Sequence, residues 1–213
     1  AGWDVTPAQL DAVVGAIVLQ AHNDVTFTDA VDLTGSGTAT TLTVQAGDDI
    51  LVNANITTNN GAVNFTANDA GGNQTGIGTA GVITMADGTT INAGNQNIPL
   101  MSKGNVTLEN LTTTGDVSVT STAGSIVEEA TGNDGLISAA NLTLIANAAA
   151  QAIGATGAGA MNTTLSGTLT ASANTGAGGI FVTETNAMSI VTVDSGNGAV
   201  ILTATNESGR AHV

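Results

Sequence analysis

The chain contains very little of several residue types that ordinary domains use. Its 213 residues include no cysteine, two prolines, one tryptophan, no tyrosine and three phenylalanines. A chain without cysteine cannot be a disulfide-bonded scaffold. Lysine and arginine total 2 against 17 acidic residues, so the net charge is −15 and we expect no binding to nucleic acid or to anionic membrane surfaces. The longest apolar run, at 12–19, is too short for a membrane span.

Short segments with alternating apolar and polar residues make up most of the chain. Typical examples are Leu42-Thr43-Val44, Val117-Ser118-Val119 and Ile190-Val191-Thr192-Val193, each flanked by Gly, Asn or Asp. Apolar residues account for 42% of the chain, which is more than a disordered protein carries. Short β-branched segments of this kind predict an all-β fold, which could be a sandwich, a barrel or a solenoid.

A degenerate repeat of roughly 20–25 residues favours the solenoid. The segment VLQAHNDVTF at 18–27 returns as TVQAGDDILV at 43–52 and more loosely as SVTSTAGSIV at 118–127. We expect roughly ten coils of parallel strands, with Val, Ile, Leu and Ala inside and Thr, Asn and Ser outside, in a rod of about 50 Å. A small residue marks each proposed copy of the repeat, and two successive markers are unusually far apart in sequence near Asn110. The markers are Ala21, Ala46, Ala67, Ala86, Ser121, Ala146, Ala171 and Ala204.

The N-terminal segment differs from the repeats. Thr6-Pro7-Ala8-Gln9 has the form of a capping box with proline at the first helical position. It predicts a short helix over about 7–13 with Leu10, Val13 and Val14 facing the core, and an irregular lead-in over 1–15 is the alternative. Residues 1–213 show no clear domain boundary. Without an initiator Met or a basic leader, we expect one solenoid segment of a larger protein.

The segments at 18–27, 45–67 and 112–126 resemble the repeats of filamentous haemagglutinin-like adhesins, the large substrates of two-partner secretion. The stretch at 153–190 has the same character, so the resemblance covers most of the chain. It implies a right-handed parallel β-helix in a very large protein at the cell surface of a Gram-negative-type bacterium. The partners it implies are copies of the chain, adjoining repeats, or a cell-surface receptor or glycan. The family's export domain is not recognised here, so the chain corresponds to a shaft region.

Oxygen-rich turns supply candidate metal ligands at Asp48, Asp49 and Asp69, with Asp24 in the first copy. Calcium takes such ligands, but it needs several that converge. The glycine-rich nonapeptide of calcium β-rolls and the EF-hand loop are both absent. We therefore expect solvated turn carboxylates and no cofactor, with calcium as the alternative.

Candidate catalytic residues are few. His22 and His212 are the only histidines, and Glu128 and Glu129 are expected on opposite faces of a strand. An acid pair such as Asp48 with Asp69 would suit a β-helix enzyme acting on surface polysaccharide, but the chain has few aromatic platforms for sugars. Thr-x-Thr pairs would suit an ice-binding solenoid, although their spacing is irregular; the pairs are Thr26/Thr28, Thr41/Thr43, Thr120/Thr122, Thr168/Thr170, Thr183/Thr185 and Thr203/Thr205.

Asn-x-Ser/Thr sequons are frequent, as expected by chance in so Asn- and Thr-rich a chain. Glycosylation at these sites is an alternative that the sequence leaves open. The asparagines are Asn55, Asn64, Asn73, Asn105, Asn110, Asn141, Asn162 and Asn206.

The sequence as a whole predicts a structural or adhesive segment of an extracellular fibre and not an enzyme. A stack of hydrogen-bonded coils forms a stiff rod, and its end coils must be capped or continued because their strand edges are unpaired. End-to-end assembly or continuation in further coils would satisfy those edges. A polysaccharide-cleaving β-helix and an ice- or calcium-binding solenoid are the alternatives.

Overall fold

The structure, a computed structural model, describes residues 4–68, 81–132, 134–175 and 178–205. Within these ranges the strands wind through eight successive coils. The first five coils contain β1 (Ile17–Ala21), β2 (Val25–Phe27), β3 (Val31–Asp32); β4 (Leu42–Ala46), β5 (Ile50–Val52), β6 (Ile56–Thr57); β7 (Val63–Ala67), β8 (Ile83–Met85), β9 (Thr90–Gly94); β10 (Ile98–Ser102), β11 (Val106–Leu108), β12 (Asn110–Thr113); and β13 (Val117–Ser121), β14 (Ile126–Glu128), β15 (Ile137–Ala139). The last three contain β16 (Leu142–Ala149), β17 (Met161–Leu165); β18 (Leu169–Thr175), β19 (Ile180–Glu184); and β20 (Ile190–Asp194), β21 (Val200–Ala204).

Three parallel sheets form the sides of this coil, which confirms the predicted β-helix. Sheet 1 has the order β1-β4-β7-β10-β13-β16-β18-β20, and sheet 3 has the order β3-β6-β9-β12-β15-β17-β19-β21. Sheet 2, in the order β2-β5-β8-β11-β14, lies between them along each coil and is extended by parallel bridges from Ile126 to Ile153 and from Ile153 to Ile180. Each strand thus pairs with its counterpart in the next coil, about 4.8 Å away.

The alternation in the sequence determines which side chains are inside. In β4, Leu42, Val44 and Ala46 are buried, whereas Thr43 and Gln45 are partly exposed. The same pattern recurs in β7, where Phe65 stacks on Phe27 of β2 with ring centroids 5.8 Å apart. Burying each such aliphatic or aromatic side chain contributes about 1.5–3 kcal/mol, so the stacked interior supplies most of the stability.

A short helix, α1 (Pro7–Asp11), precedes the first coil. The Thr6 backbone N–H donates to Gln9 Oε1 at 2.8 Å, as the capping box predicts. Leu10 is buried and Val13 is partly buried against the core. Val14 is 70% exposed, so its predicted core position is wrong because the helix ends before that residue.

The coil count and some repeat markers differ from the sequence prediction. Eight coils, not ten, fall within the described ranges, because coil length varies from 19 residues between Ile98 and Val117 to 35 between Phe65 and Leu100. The long coil includes residues 69–80, which lie outside the described part. Stacked small residues continue through Ser102, Ser121, Ala146 and Ala173. Three predicted markers are not in this column: Ala86 follows β8, Ala171 pairs with Leu144, and Ala204 lies in β21.

Candidate functional site

The predicted metal ligands Asp48 and Asp49 lie at the corner between β4 and β5, and Asp24 occupies the corresponding corner of the preceding coil. One carboxylate oxygen from each of the three lies within 4.8 Å of the others. All three carboxylates have backbone partners: Asp24 Oδ1 accepts from the Asp49 N–H at 3.1 Å, Asp49 Oδ1 accepts from the Val82 N–H at 2.8 Å, and Asp48 accepts from the Gly81 N–H. The structure therefore gives Asp24 and Asp49 a role in joining coils. Asp69 lies outside the described residues.

The same kind of bond joins coils at corners along the rod. A side-chain oxygen in one coil accepts the backbone N–H of the next coil, as Asn105 Oδ1 does from Ser125 at 2.9 Å. These bonds satisfy corner amides that have no partner in a sheet ladder. Further bonds of this type join Asn55 to Thr90, Asn110 to Leu136, and Asn141 to Thr168. The carbonyl oxygens of four sequon asparagines are thus part of the fold.

The other sequons have different surroundings. Asn64 donates to Thr43 Oγ1 at 3.3 Å, and Asn162 donates to Glu128 Oε1 at 3.1 Å. Asn73 and Asn206 lie outside the described residues. Modification at any of these asparagines stays a prediction that the structure does not test.

A second acidic cluster, which sequence reasoning missed, lies at the corner between sheets 2 and 3. Asp87 lies between β8 and β9, Glu109 between β11 and β12, and Asp134 between β14 and β15, so the three come from the same corner of three successive coils. One carboxylate oxygen from each lies within 4.8 Å of the others. Asp87 and Asp134 are exposed, whereas Glu109 is only 1% exposed. We call Asp87, Glu109 and Asp134 the corner triad.

Glu109 has one carboxylate oxygen without a hydrogen-bond partner. Its Oε1 accepts from Asn110 Nδ2 at 3.0 Å, but its Oε2 is buried without a hydrogen-bond partner. Glu128, at the end of β14 near the same corner, is 7% exposed and has an equally unpartnered Oε2. Glu184 shows the contrast: it is fully buried, and its two oxygens accept from the Leu165 N–H at 3.0 Å and the Thr163 hydroxyl at 2.7 Å.

The electrostatics of this corner favour neutralised carboxyl groups. Burial raises the pKa of Glu109 above its ordinary value, and the negative charges of Asp134 and Asp87 raise it further, against the opposing effect of a hydrogen bond from the Gly88 backbone N–H. Burial also raises the pKa of Glu128 to about 7, against the opposing effect of the hydrogen bond from Asn162. A buried carboxylate without a compensating partner is costly, which is the physical cause of both shifts.

We expect the stability of the chelator-treated protein to fall as pH rises from about 4.5 to above 7. Glu128 retains its proton in this window when folded and loses it when unfolded, so folding stability is highest at the acidic end. The shift from 4.5 to about 7 corresponds to about 3.5 kcal/mol at about 1.4 kcal/mol per pKa unit, and solvent screening reduces the expected decrease to roughly 2–3 kcal/mol. Urea unfolding of the wild type and of Glu128→Gln across this range measures it.

The Glu128→Gln variant is the control because it keeps the side-chain shape and removes the titration. Glu109 and Asp134 raise the pKa of Glu128 through their charge, while Asn162 and the Gly135 backbone N–H donate to it and lower the pKa. Those neighbours are unchanged in the variant, so its stability should vary less with pH. A wild type and a variant with the same pH dependence would contradict the shifted pKa.

The remaining sequence candidates do not converge. His22 is an exposed corner residue, and His212 lies outside the described residues. Glu128 is buried at the end of β14, and Glu129, which follows the strand in the corner, is partly exposed. The outer face of sheet 1 mixes threonine with other residues, which include Val18, Gln45, Pro99, Met101 and Ile145. Its threonines therefore do not form the regular array that the ice-binding alternative requires.

The two ends of the described rod differ. At the first coil, α1 contacts β3, and a pocket of about 450 Å³ remains between the helix and the coil, lined by Leu10, Leu19 and Phe27 among others. At the last coil, Ile190 and Val200 continue the inward columns of Leu169 and Ile180. They are 42% and 45% exposed, although their counterparts are fully buried. The last described coil thus presents core-type side chains and an unpaired strand edge.

Comparisons with known proteins give no relative: no family model, curated protein or solved structure matches the chain. Among the described residues, no helix is long and apolar enough to cross a membrane. Function is therefore inferred from the geometry of the chain itself.

Proposed function

We propose that this chain is a shaft segment of an extracellular bacterial fibre or filamentous adhesin. In this role it is a stiff rod whose coils are continued end to end, by further coils of a longer chain or by a second copy. The rod holds a binding surface for a receptor or glycan away from the cell. Eight coils at about 4.8 Å each correspond to a length of about 40 Å.

The observation that carries the proposal is the open last coil. Ile190 and Val200 occupy inward positions, yet they are 42% and 45% exposed, because within residues 4–205 as described no further coil covers them. Stacking one more coil would bury both and pair the free edges of β20 and β21. Unpaired edges with apolar side chains favour association with another strand.

The composition supports an extracellular structural role. The fold needs no disulfide, because the backbone ladders and the buried columns run from coil to coil. The net charge of −15 keeps the sides of neighbouring rods apart through repulsion, while the last coil carries an apolar surface. Lateral repulsion combined with end attraction favours linear assembly over bundling.

Electron microscopy of the purified chain over a range of concentrations tests this proposal. We expect rods that lengthen with concentration, in steps of about 40 Å. The Val200→Lys variant places a charge in the open inward column and should restrict the chain to single rods. Met101→Lys is the matched control, because Met101 is similarly exposed (51%) but lies on the outer side of β10.

The proposal would be supported if the wild type and Met101→Lys form rods that lengthen with concentration and Val200→Lys does not. Compact particles without an elongated shape would contradict the shaft function. Single rods at every concentration, or equal lengthening of both variants, would contradict continuation through the last coil.

A further inference from the structure

The corner triad combines converging carboxylates with a buried oxygen that has no hydrogen-bond partner. Its three carboxylates come from one corner of three successive coils and converge to within 4.8 Å. Independently, Glu109 is 1% exposed and its Oε2 has no hydrogen-bond partner. Among the buried glutamates of the described residues, Glu184 has both oxygens hydrogen-bonded, whereas Glu109 and Glu128, the two near this corner, each keep an unpartnered Oε2.

The counter-charge for this site must come from solution. The chain has two lysine or arginine residues, and only Lys103 lies within the described residues. Lys103 is exposed and lies between β10 and β11. Ionised carboxylates this close repel each other unless a cation or a proton neutralises them. The exposed carboxylates of Asp87 and Asp134 leave the site open to an ion from solvent.

The space beside Glu109 is kept open by glycine. A Cβ added at Gly135 would lie 3.0 Å from Glu109 Oε2, which is closer than side-chain carbons normally approach an oxygen. Gly135 directly follows Asp134 of the triad, so the small residue and the ligand come from the same corner segment. Any larger residue here would fill the side of the site next to the unpartnered oxygen.

The donor set identifies the class of metal. All three ligands are carboxylate oxygens, without a histidine or a thiol, which disfavours zinc and copper. Calcium takes six to eight oxygen ligands in flexible geometry and accepts waters and backbone carbonyls as the others. Magnesium demands a near-ideal octahedron, which corner segments of unequal length do not preorganise.

We propose that Asp87, Glu109 and Asp134 bind a calcium ion that joins three successive coils at this corner. The Asp24, Asp48 and Asp49 cluster lacks this second feature, because its carboxylates accept backbone N–H groups and none has a buried unpartnered oxygen. The calcium site is independent of the proposed fibre function.

Calorimetric titration of the chelator-treated chain with calcium chloride tests this site. We expect one saturable site with a dissociation constant of about 0.1–1 mM, the range of extracellular calcium modules, and a rise of several degrees in the unfolding midpoint at 10-fold excess over that constant. Glu109→Gln, Asp87→Asn and Asp134→Asn should each weaken binding by about tenfold or more. The last two change exposed side chains, so the test holds even where Glu109→Gln fails to fold.

Asp48→Asn is the matched control, since it removes the same charge from the other acidic corner. Unchanged calcium affinity in this variant, with weakened affinity in the triad variants, would support the site. If Asp48→Asn weakened calcium binding as much as the triad variants, or if the titration heat did not saturate, calcium would only be screening the acidic surface. Either result would overturn the proposed site. Magnesium binding as tight as calcium binding would overturn the choice of metal.

Discussion

Replacing Val119 with aspartate is expected to abolish cooperative folding. Val119 is fully buried in β13, where it stacks between Leu100 and Leu144 of the neighbouring coils. A carboxylate at this position would lie in an apolar column without a partner, at a cost of several kcal/mol. The free energy of unfolding of a native protein is about 5–15 kcal/mol in total. A loss of about 4 kcal/mol or more therefore removes a large part of the stability. Urea unfolding followed by circular dichroism measures the loss.

Ser118→Asp is the matched control for this prediction. Ser118 precedes Val119 in the same strand and points outward, in register with Pro99 and Thr143. The same charge on this face remains solvated, so we expect a change within about 0.5 kcal/mol. Similar losses in both variants would contradict the assignment of inward and outward faces.

The second large effect is expected at Gly61, where successive coils stack closely against each other. Gly61 lies at the corner before β7, and a Cβ there would overlap the Thr40 carbonyl group and approach the Thr41 nitrogen at 2.8 Å. Both are backbone groups, so relief requires the corner itself to move. We expect Gly61→Ala to lower the free energy of unfolding by about 2–3 kcal/mol.

Gly35→Ala provides the comparison for Gly61→Ala. Gly35 lies at the corresponding corner of the preceding coil, and an added Cβ there meets nothing within 4 Å. Its replacement should change stability by no more than about 0.5 kcal/mol. A Gly61→Ala variant as stable as Gly35→Ala would show that the corners are less closely stacked than the structure describes.

The alternation of apolar and polar residues made the fold predictable from the sequence. The irregular length of the corners prevented an equally accurate prediction of coil length and coil number. Inward and outward positions follow directly from period 2, as in Leu42-Thr43-Val44. Coil length does not follow from this period, because the number of residues in a corner varies. The corner between sheets 2 and 3 is the single residue Glu109 in one coil and the segment at 129–136 in the next. A fixed period therefore placed Ala86 and Ala171 in the wrong column and overestimated the number of coils.

The corner triad could not be found from spacing for the same reason. Asp87, Glu109 and Asp134 come from three corners of different length, so no constant separation connects them. One signal was present: alternation after the buried Ile126 makes Glu128 an inward residue. An acidic residue at an inward position next to a corner indicates a site that needs a counter-charge, and the structure adds which other carboxylates surround it.

The central claim is that successive coils stack as parallel strands in register, and engineered disulfides test it directly because the chain has no cysteine. Thr120 and Ile145 are outward neighbours in adjacent coils, and Ser172 is the next in the column. Adjacent positions are about 4.8 Å apart and alternate ones about 9.6 Å, beyond the reach of a disulfide. Oxidation of the dilute protein should therefore form an intramolecular bond in Thr120→Cys/Ile145→Cys and none in Thr120→Cys/Ser172→Cys. Efficient bonding of the second pair, or failure of the first in a folded protein, would contradict the stacked coil.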